Sequence, residues 1–566
     1  MATAAPWSQF SAATGQLSGI MGDRASSGQT RVSGPLFDAC AAALLFAIVA
    51  VLYFNLHSGG AIWWSDASRN ALNGAFVLDF IRTMPASHPM SFAYDYYRQW
   101  PALTILFYPP LFYVALAAVY AIFGVSESSA LLTACLFLFA LGWGAFRLSR
   151  RWLGPLASLA AAILTIGMPE MAFWGQQPML DVPSYALLMW CAVYLFRGLD
   201  TGRPAMLLYS VLFLVLAIYT KYNAAFFAVP VAVALLSARG WNALTDRRIW
   251  QAIGFGAVLM APLIAIFFVF ARYNLEQAAS VPTMTMPRWS IAGWSYYASV
   301  IPASVTWPVL ALGLLYLPAA LFQPRFRIGR TDSLFLAAWV LAGYAFYSLV
   351  AVKEPRYDLF VVYPVAIAPL LLIDRALLRF SWRWVAALGL ALAILVAGQI
   401  IRPAPYVTGM REAADTVAKL APKDSNVGFW GRWDGSFIFD MRAYEGRPDL
   451  GVLRLDKLLL SDVVVSFDLG VKDKGLSPEE ILDALRTYHV QYVVFQTQFR
   501  EDIPSVAAMG RLLHSDRFEP VGNVKIAAND KFSYLTDLTL YRFREELPPG
   551  RVLPPVEIKL LGKSLR

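Results

Sequence analysis

The chain has 566 residues, 58% of them hydrophobic and only 15% charged, with a net charge of +9. A mean hydropathy of +0.52 exceeds what a water-soluble core can hide and excludes an ordinary soluble globule. The basic excess sits in short loops between apolar runs, a pattern that orients membrane helices and argues against nucleic acid as a partner.

Residues 1–34 are rich in Ala, Ser, Gly and Thr, with no basic segment leading into a cleavable apolar core. They read as a disordered cytoplasmic tail. Apolar stretches then recur at 39–56, 129–146, 153–170, 181–196, 204–220, 222–238, 249–271, 301–322, 333–352, 358–373 and 384–401. Each is about long enough to cross a hydrocarbon layer of ~30 Å as a helix. All three cysteines, Cys40, Cys135 and Cys191, fall inside these runs, and the four histidines lack metal-ligand spacing. Neither a disulfide nor a zinc site is expected.

A twelfth apolar stretch, 99–126, would reverse the sidedness of everything after it if it crossed. With eleven crossings and the N-terminus inside, five short inner loops carry fourteen arginines: 147, 150, 151, 197, 203, 239, 247, 248, 325, 327, 330, 375, 379 and 383. That asymmetry follows the positive-inside rule. The stretch 99–126, broken by Pro109-Pro110 and rich in aromatics, is therefore expected as an interfacial or re-entrant element within a large first outer loop, 57–128. The transmembrane domain is expected over 35–402.

From residue 403 the pattern turns soluble, with strands and helices alternating, which predicts an α/β domain over 403–566 on the outer side. Ser477, Pro478, Glu479 and Glu480 form a strong helix start, with a cap, a first-turn proline and acids at the positive end of the dipole.

Ionisable residues at apolar boundaries are costly and mark candidate functional groups. On the outer side these are Asp66 and Arg69 in the first loop, Asp181 after the third span, Lys221 after the fifth, and Lys353 and Arg356 after the ninth, with Tyr222 and Tyr357 adjacent. Asp66 and Asp181 each open a helix-like run, where capping is the structural alternative to acid–base chemistry. Lys221 and Arg356 are placed to bind a lipid-linked phosphate, with snorkelling to headgroups the alternative.

The ordered set SDASRNALNG at Asp66, FYPPL at Pro109, Pro110 and Leu111, MLDVP at Asp181, TKY at Lys221 and Tyr222, and KEPRY at Lys353, Arg356 and Tyr357 resembles the GT-C glycosyltransferases. The branch is that of the protein O-mannosyltransferases and the lipid A aminoarabinose transferase. The resemblance implies a polytopic helical fold of about eleven spans with interfacial helices, a polyprenyl-phosphate-sugar donor, and a glycan, lipid or protein acceptor at a bacterial inner membrane. It implies Asp66 as base, Asp181 as a second active-site acid or cation ligand, and Lys221, Lys353 and Arg356 as donor-phosphate ligands, with Arg69, Tyr222 and Tyr357 as substrate contacts. No cofactor is required by it, a divalent cation being the one it admits. Two departures matter: Ala67 stands where many relatives carry Glu, and Phe107 and Tyr108 stand where the aminoarabinose enzymes carry charges. They argue against metal dependence and against aminoarabinose transfer. A lipid-linked-saccharide flippase is the competing reading; it calls for repeat symmetry and charges buried mid-helix, neither of which stands out.

Overall fold

Apolar runs with no water to satisfy their backbone must bond internally, so they fold as helices. The computed structural model describes residues 34–85, 87–105, 107–268, 286–444, 446–463, 471–548, 550–554, 556–558 and 563–565. The predicted tail lies outside these residues except for Gly34. The chain divides into two compact units, 1–43 and 44–566. The described part of the first is the opening of the helix Pro35–Phe54, and all later elements belong to the second.

Every predicted span holds an apolar helix. Among the described residues eight helices are long and apolar enough to cross a membrane, or ten if two bent pairs each count once. The remaining stretch is Pro204–Thr220, 17 residues, the lower limit for a crossing. This is a multi-pass membrane protein. Glu127–Ser149 and Asp181–Thr201 run through the interior, whereas Val258, Leu341, Val385 and Ile400 leave apolar side chains exposed on the outer helices, as lipid contact requires.

Both bends have local causes. Met168, at φ −57° and ψ 137°, precedes Pro169 and is driven out of the helical region by the proline ring; Pro155–Gly167 and Pro169–Gly175 consequently meet at 67°. Thr306 takes a positive φ of 66° just before Pro308, and Ile291–Val305 turns 113° into Trp307–Phe322. The predicted span 301–322 is thus corrected: its apolar helix starts at Trp307, and the aromatic run before it belongs to a separate helix. In 99–126 the apolar helix is only Leu111–Phe123, 13 residues or about 20 Å at ~1.5 Å per residue, too short to cross.

Loops that the arginine count assigns to one side do meet. Arg151 pairs with both Asp200 and Asp332, Arg248 donates to the Gly202 carbonyl, and Arg375 donates to the carbonyls of Arg325 and Arg327.

After Arg402 the strands are β1 (Asn426–Trp430), β2 (Gly451–Arg454), β3 (Leu460–Val463), β4 (Val471–Asp473), β5 (Val490–Gln496), β6 (Phe518–Lys525), β7 (Asp537–Phe543), β8 (Val556–Ile558) and β9 (Lys563–Leu565). The main sheet has the order β2-β1-β5-β7-β6, parallel through β2, β1 and β5 and antiparallel at β7 and β6. β1 and β5 are buried along their whole length, which explains why apolar residues fill their middles, Val427–Trp430 and Tyr492–Phe495. The predicted helix start at Ser477 is a reciprocal capping box: Glu480 N donates to Ser477 Oγ, and Ser477 N donates to Glu480 Oε2 at 2.8 Å. Most of the predicted strand 462–468 lies outside the described residues.

Candidate active site

Asp66 sits in the first turn of Ser65–Thr83, whose N-cap is Trp64 with no side-chain cap. Its carboxylate is instead taken by Arg356: Nη2 donates to Oδ2 at 3.1 Å. Arg356 is delivered by the turn Pro355–Val361 and is nearly fully buried, with 6% of its side chain accessible, whereas Asp66 keeps 43%. The Asp66 carboxylate is thus held on one side by protein and stays open on the other. Burial alone would raise its pKa, but Arg356 and then Arg69 hold it below the ordinary carboxylate range.

The Arg356 guanidinium spends one donor on Asp66. Among the described residues its buried Nε and Nη1 have no hydrogen-bond partner. Aromatic rings enclose it, with Trp174 at 5.5 Å, Tyr357 at 5.6 Å and Trp64 at 5.8 Å from Cζ.

Asp181 opens the helix Asp181–Thr201 but is held by Lys221, whose Nζ donates to Oδ1 at 2.5 Å, both side chains being almost inaccessible. Thr220 Oγ1 bonds back to the Leu216 carbonyl, and Lys221 leaves the helix in extended conformation, φ −152° and ψ 124°. That break turns the ammonium inward, 4.6 Å from the centre of the Tyr357 ring. Both cations therefore approach the Tyr357 ring, which stacks on Tyr347 at 5.5 Å.

The other candidates have different surroundings. Lys353 donates to the carbonyls of Tyr347 and Ser348 at 2.9 and 2.7 Å, capping the C-terminus of Arg330–Leu349, and burial lowers its pKa. Arg69 binds the Ser65 carbonyl and hydroxyl at 3.0 and 2.8 Å and reaches Asp434 of the C-terminal region at 3.1 Å. Tyr222 packs edge-on to Phe267 at 5.5 Å.

Sequence reasoning missed Glu170, which lay at the end of a predicted span. It is buried, pairs with Arg402, and accepts from Trp174 Nε1 at 2.7 Å, fixing a ring that faces Arg356. The Pro at 169 that breaks the span was its available signal.

Among the described residues no three His, Cys, Asp or Glu side chains gather in a metal-binding arrangement. The charge of each candidate acid is matched by a cation, Asp66 by Arg356 and Asp181 by Lys221. This donor set does not fit a divalent cation.

Residues 108–266 match the family model described as dolichyl-phosphate-mannose-protein mannosyltransferase. No curated protein matches the chain in sequence. In structure the chain is similar to ArnT from Cupriavidus metallidurans bound to undecaprenyl phosphate, with a TM-score of 0.56 at 15% identity, covering 90% of this chain and 99% of that one. It is also similar to the Archaeoglobus fulgidus oligosaccharyltransferase, TM-score 0.51 at 13% identity, covering 84% and 71%. A third likeness is to the arabinofuranosyltransferase AftD from Mycobacteria, TM-score 0.50 at 14% identity, covering 91% and 40%.

Proposed function

We propose that this multi-pass membrane protein of the GT-C glycosyltransferase fold moves a sugar from a polyprenyl-phosphate-linked donor to a glycan, lipid or protein acceptor. One observation carries the reading: a buried guanidinium with two unpartnered donors beside a carboxylate that stays accessible. Spare buried N–H groups are costly unless an anion uses them, and guanidinium forks suit phosphate oxygens. The similar ArnT is bound to undecaprenyl phosphate, the same ligand chemistry.

In this mechanism an acceptor hydroxyl or amine attacks the anomeric carbon and gives its proton to Asp66. The bond from that carbon to the phosphate oxygen breaks, and polyprenyl phosphate leaves with added negative charge. Arg356, with Lys221 on the other side of the pair it shares with Asp181, stabilises that charge. Asp181 keeps Lys221 charged and in place. Lys353 anchors the strand that leads into the Arg356 turn.

The arginine-rich loops face the cytoplasm, and the site and the domain after Arg402 face the outer side of a bacterial inner membrane. The deciding experiment is transfer from a polyprenyl-phosphate sugar by Asp66→Asn protein purified folded in detergent. Loss of at least ~10²-fold in kcat is expected from removal of a general base; full activity would remove Asp66 from this role.

A further inference from the structure

On an isolated helix an acid and an arginine three residues apart are neighbours and pair. Asp66 and Arg69 have that spacing in Ser65–Thr83, yet the hydrogen bonds of Arg69 go elsewhere. One terminal nitrogen binds Ser65, and the other is drawn to Asp434, 3.3 and 3.1 Å from its two carboxylate oxygens.

Asp434 begins the helix Asp434–Ala443 of the C-terminal region. That helix lies directly on the helix that carries Asp66. A β-carbon on Gly435 would stand 2.4 Å from Ser68 Oγ and 3.1 Å from Arg69 Nη1, so glycine is what allows the approach. Ser436 Oγ donates to the Ile62 carbonyl at 3.0 Å, and Arg442 grips Asp79 at 2.5 Å with Tyr96 beside it. Asp434 is in turn fixed by Arg454 at 3.1 Å, itself paired with Asp456. The carboxylate that holds Arg69 is therefore rigidly placed by the C-terminal region.

We propose that Asp434 is a positioning residue: it keeps the Arg69 hydrogen bonds off Asp66, so that among the described residues Arg356 is the one arginine hydrogen-bonded to the Asp66 carboxylate, which remains open to the acceptor. The C-terminal region then completes the active site, since without Asp434 the neighbouring arginine closes on the base. The inference rests on the reading of Asp66 as the acceptor base.

The test compares Asp434→Asn and Asp434→Ser, either of which removes the charge, with the same variants carrying Arg69→Gln, all as full-length protein checked for an unchanged unfolding midpoint in detergent. The expected result is a kcat roughly 10-fold lower with donor KM little changed, part of the ~10² to 10⁴ that a general base supplies. Arg69→Gln should recover most of that loss, and Asp434→Glu, which keeps the carboxylate, should lose less. A double variant no more active than the single one, or a single variant with unchanged kcat, overturns the proposal. If Asp66→Asn is itself fully active, the catalytic reading fails first; if that variant is dead and rescue is absent, only the role of Asp434 falls.

Discussion

Arg356 reaches Asp66 at 3.1 Å across 290 positions of sequence, so the proposed phosphate-binding cation and the proposed base share one contact. Two of the guanidinium donors are left for the donor phosphate. Arg356→Ala should therefore raise the donor KM by roughly 10- to 100-fold, the equivalent of the ~1.5–3 kcal/mol of a hydrogen bond to a charged group. The acceptor KM should move little. Arg356→Lys keeps the charge and loses the fork, so it should recover only part of the affinity. Steady-state kinetics with each substrate varied in turn decides it, and an unchanged donor KM removes the phosphate role.

The depressed pKa of Asp66 sets the expected pH dependence. Its arginine neighbours hold the folded carboxyl below its ordinary range, so the stabilisation linked to its ionisation is fully present above the unfolded value of about 3.9 and is lost as pH falls through the lower folded value. The wild-type kcat/KM should thus show no limb from this group between roughly pH 5 and 8. Arg356→Gln removes the strongest of the opposing cations and leaves the burial, so the acidic limb should move upward. A pH–rate profile of the variant with an acidic limb no higher than wild type would contradict this origin of the shift.

Lys221 and Asp181 form a pair that neither solvent nor lipid reaches. Breaking such a pair leaves a charge buried alone, at a cost of ~3–5 kcal/mol, whereas removing both charges is much cheaper. Asp181→Asn and Lys221→Gln should each lower the unfolding midpoint in detergent, and the double variant should unfold closer to wild type than either. Activity should not return with stability, because the double variant still lacks the Lys221 ammonium. Additive losses of stability would mean that the two charges are not coupled.

Much of this arrangement was legible in the sequence because burial in lipid leaves a strong imprint. The apolar stretches, the arginine-rich loops and the capping box at Ser477 all have local causes. The roles of Asp66 and Asp181 as caps or as chemical groups were not separable there, since the same residue at a helix start serves both. In the fold Arg356 and Lys221 take the two carboxylates, so neither acid serves as a side-chain cap, and such partners come from segments far away in the chain. The break at Thr306 was hidden for a different reason: the residues on both sides are apolar, and only the backbone conformation at that position separates two helices. Asp434 gave no signal because its meaning depends on Gly435 and on the helix it rests against.

Asp440, on the helix that begins with Asp434, offers a test of acid burial. It is 8% exposed and lines a small cavity with Glu127, Ser436 and Phe439. Burial raises its pKa well above the ordinary value, and the nearby Glu127 pushes in the same direction. An acid with a raised folded pKa is bound to its proton more tightly in the folded state. Its favourable contribution is present below the unfolded value and is lost as pH rises through the folded one. At neutral pH the charged form is therefore a liability, and Asp440→Asn should stabilise the protein by about 1–3 kcal/mol, on the order of the cost of burying a polar group. The gain should shrink as pH falls through ~4 and vanish below ~3, where the wild-type carboxyl is protonated in both states. Unfolding midpoints of the two proteins measured from acid to neutral pH provide the check: a gap that opens with pH supports the buried-acid account, and a constant gap or a loss of stability in the variant refutes it.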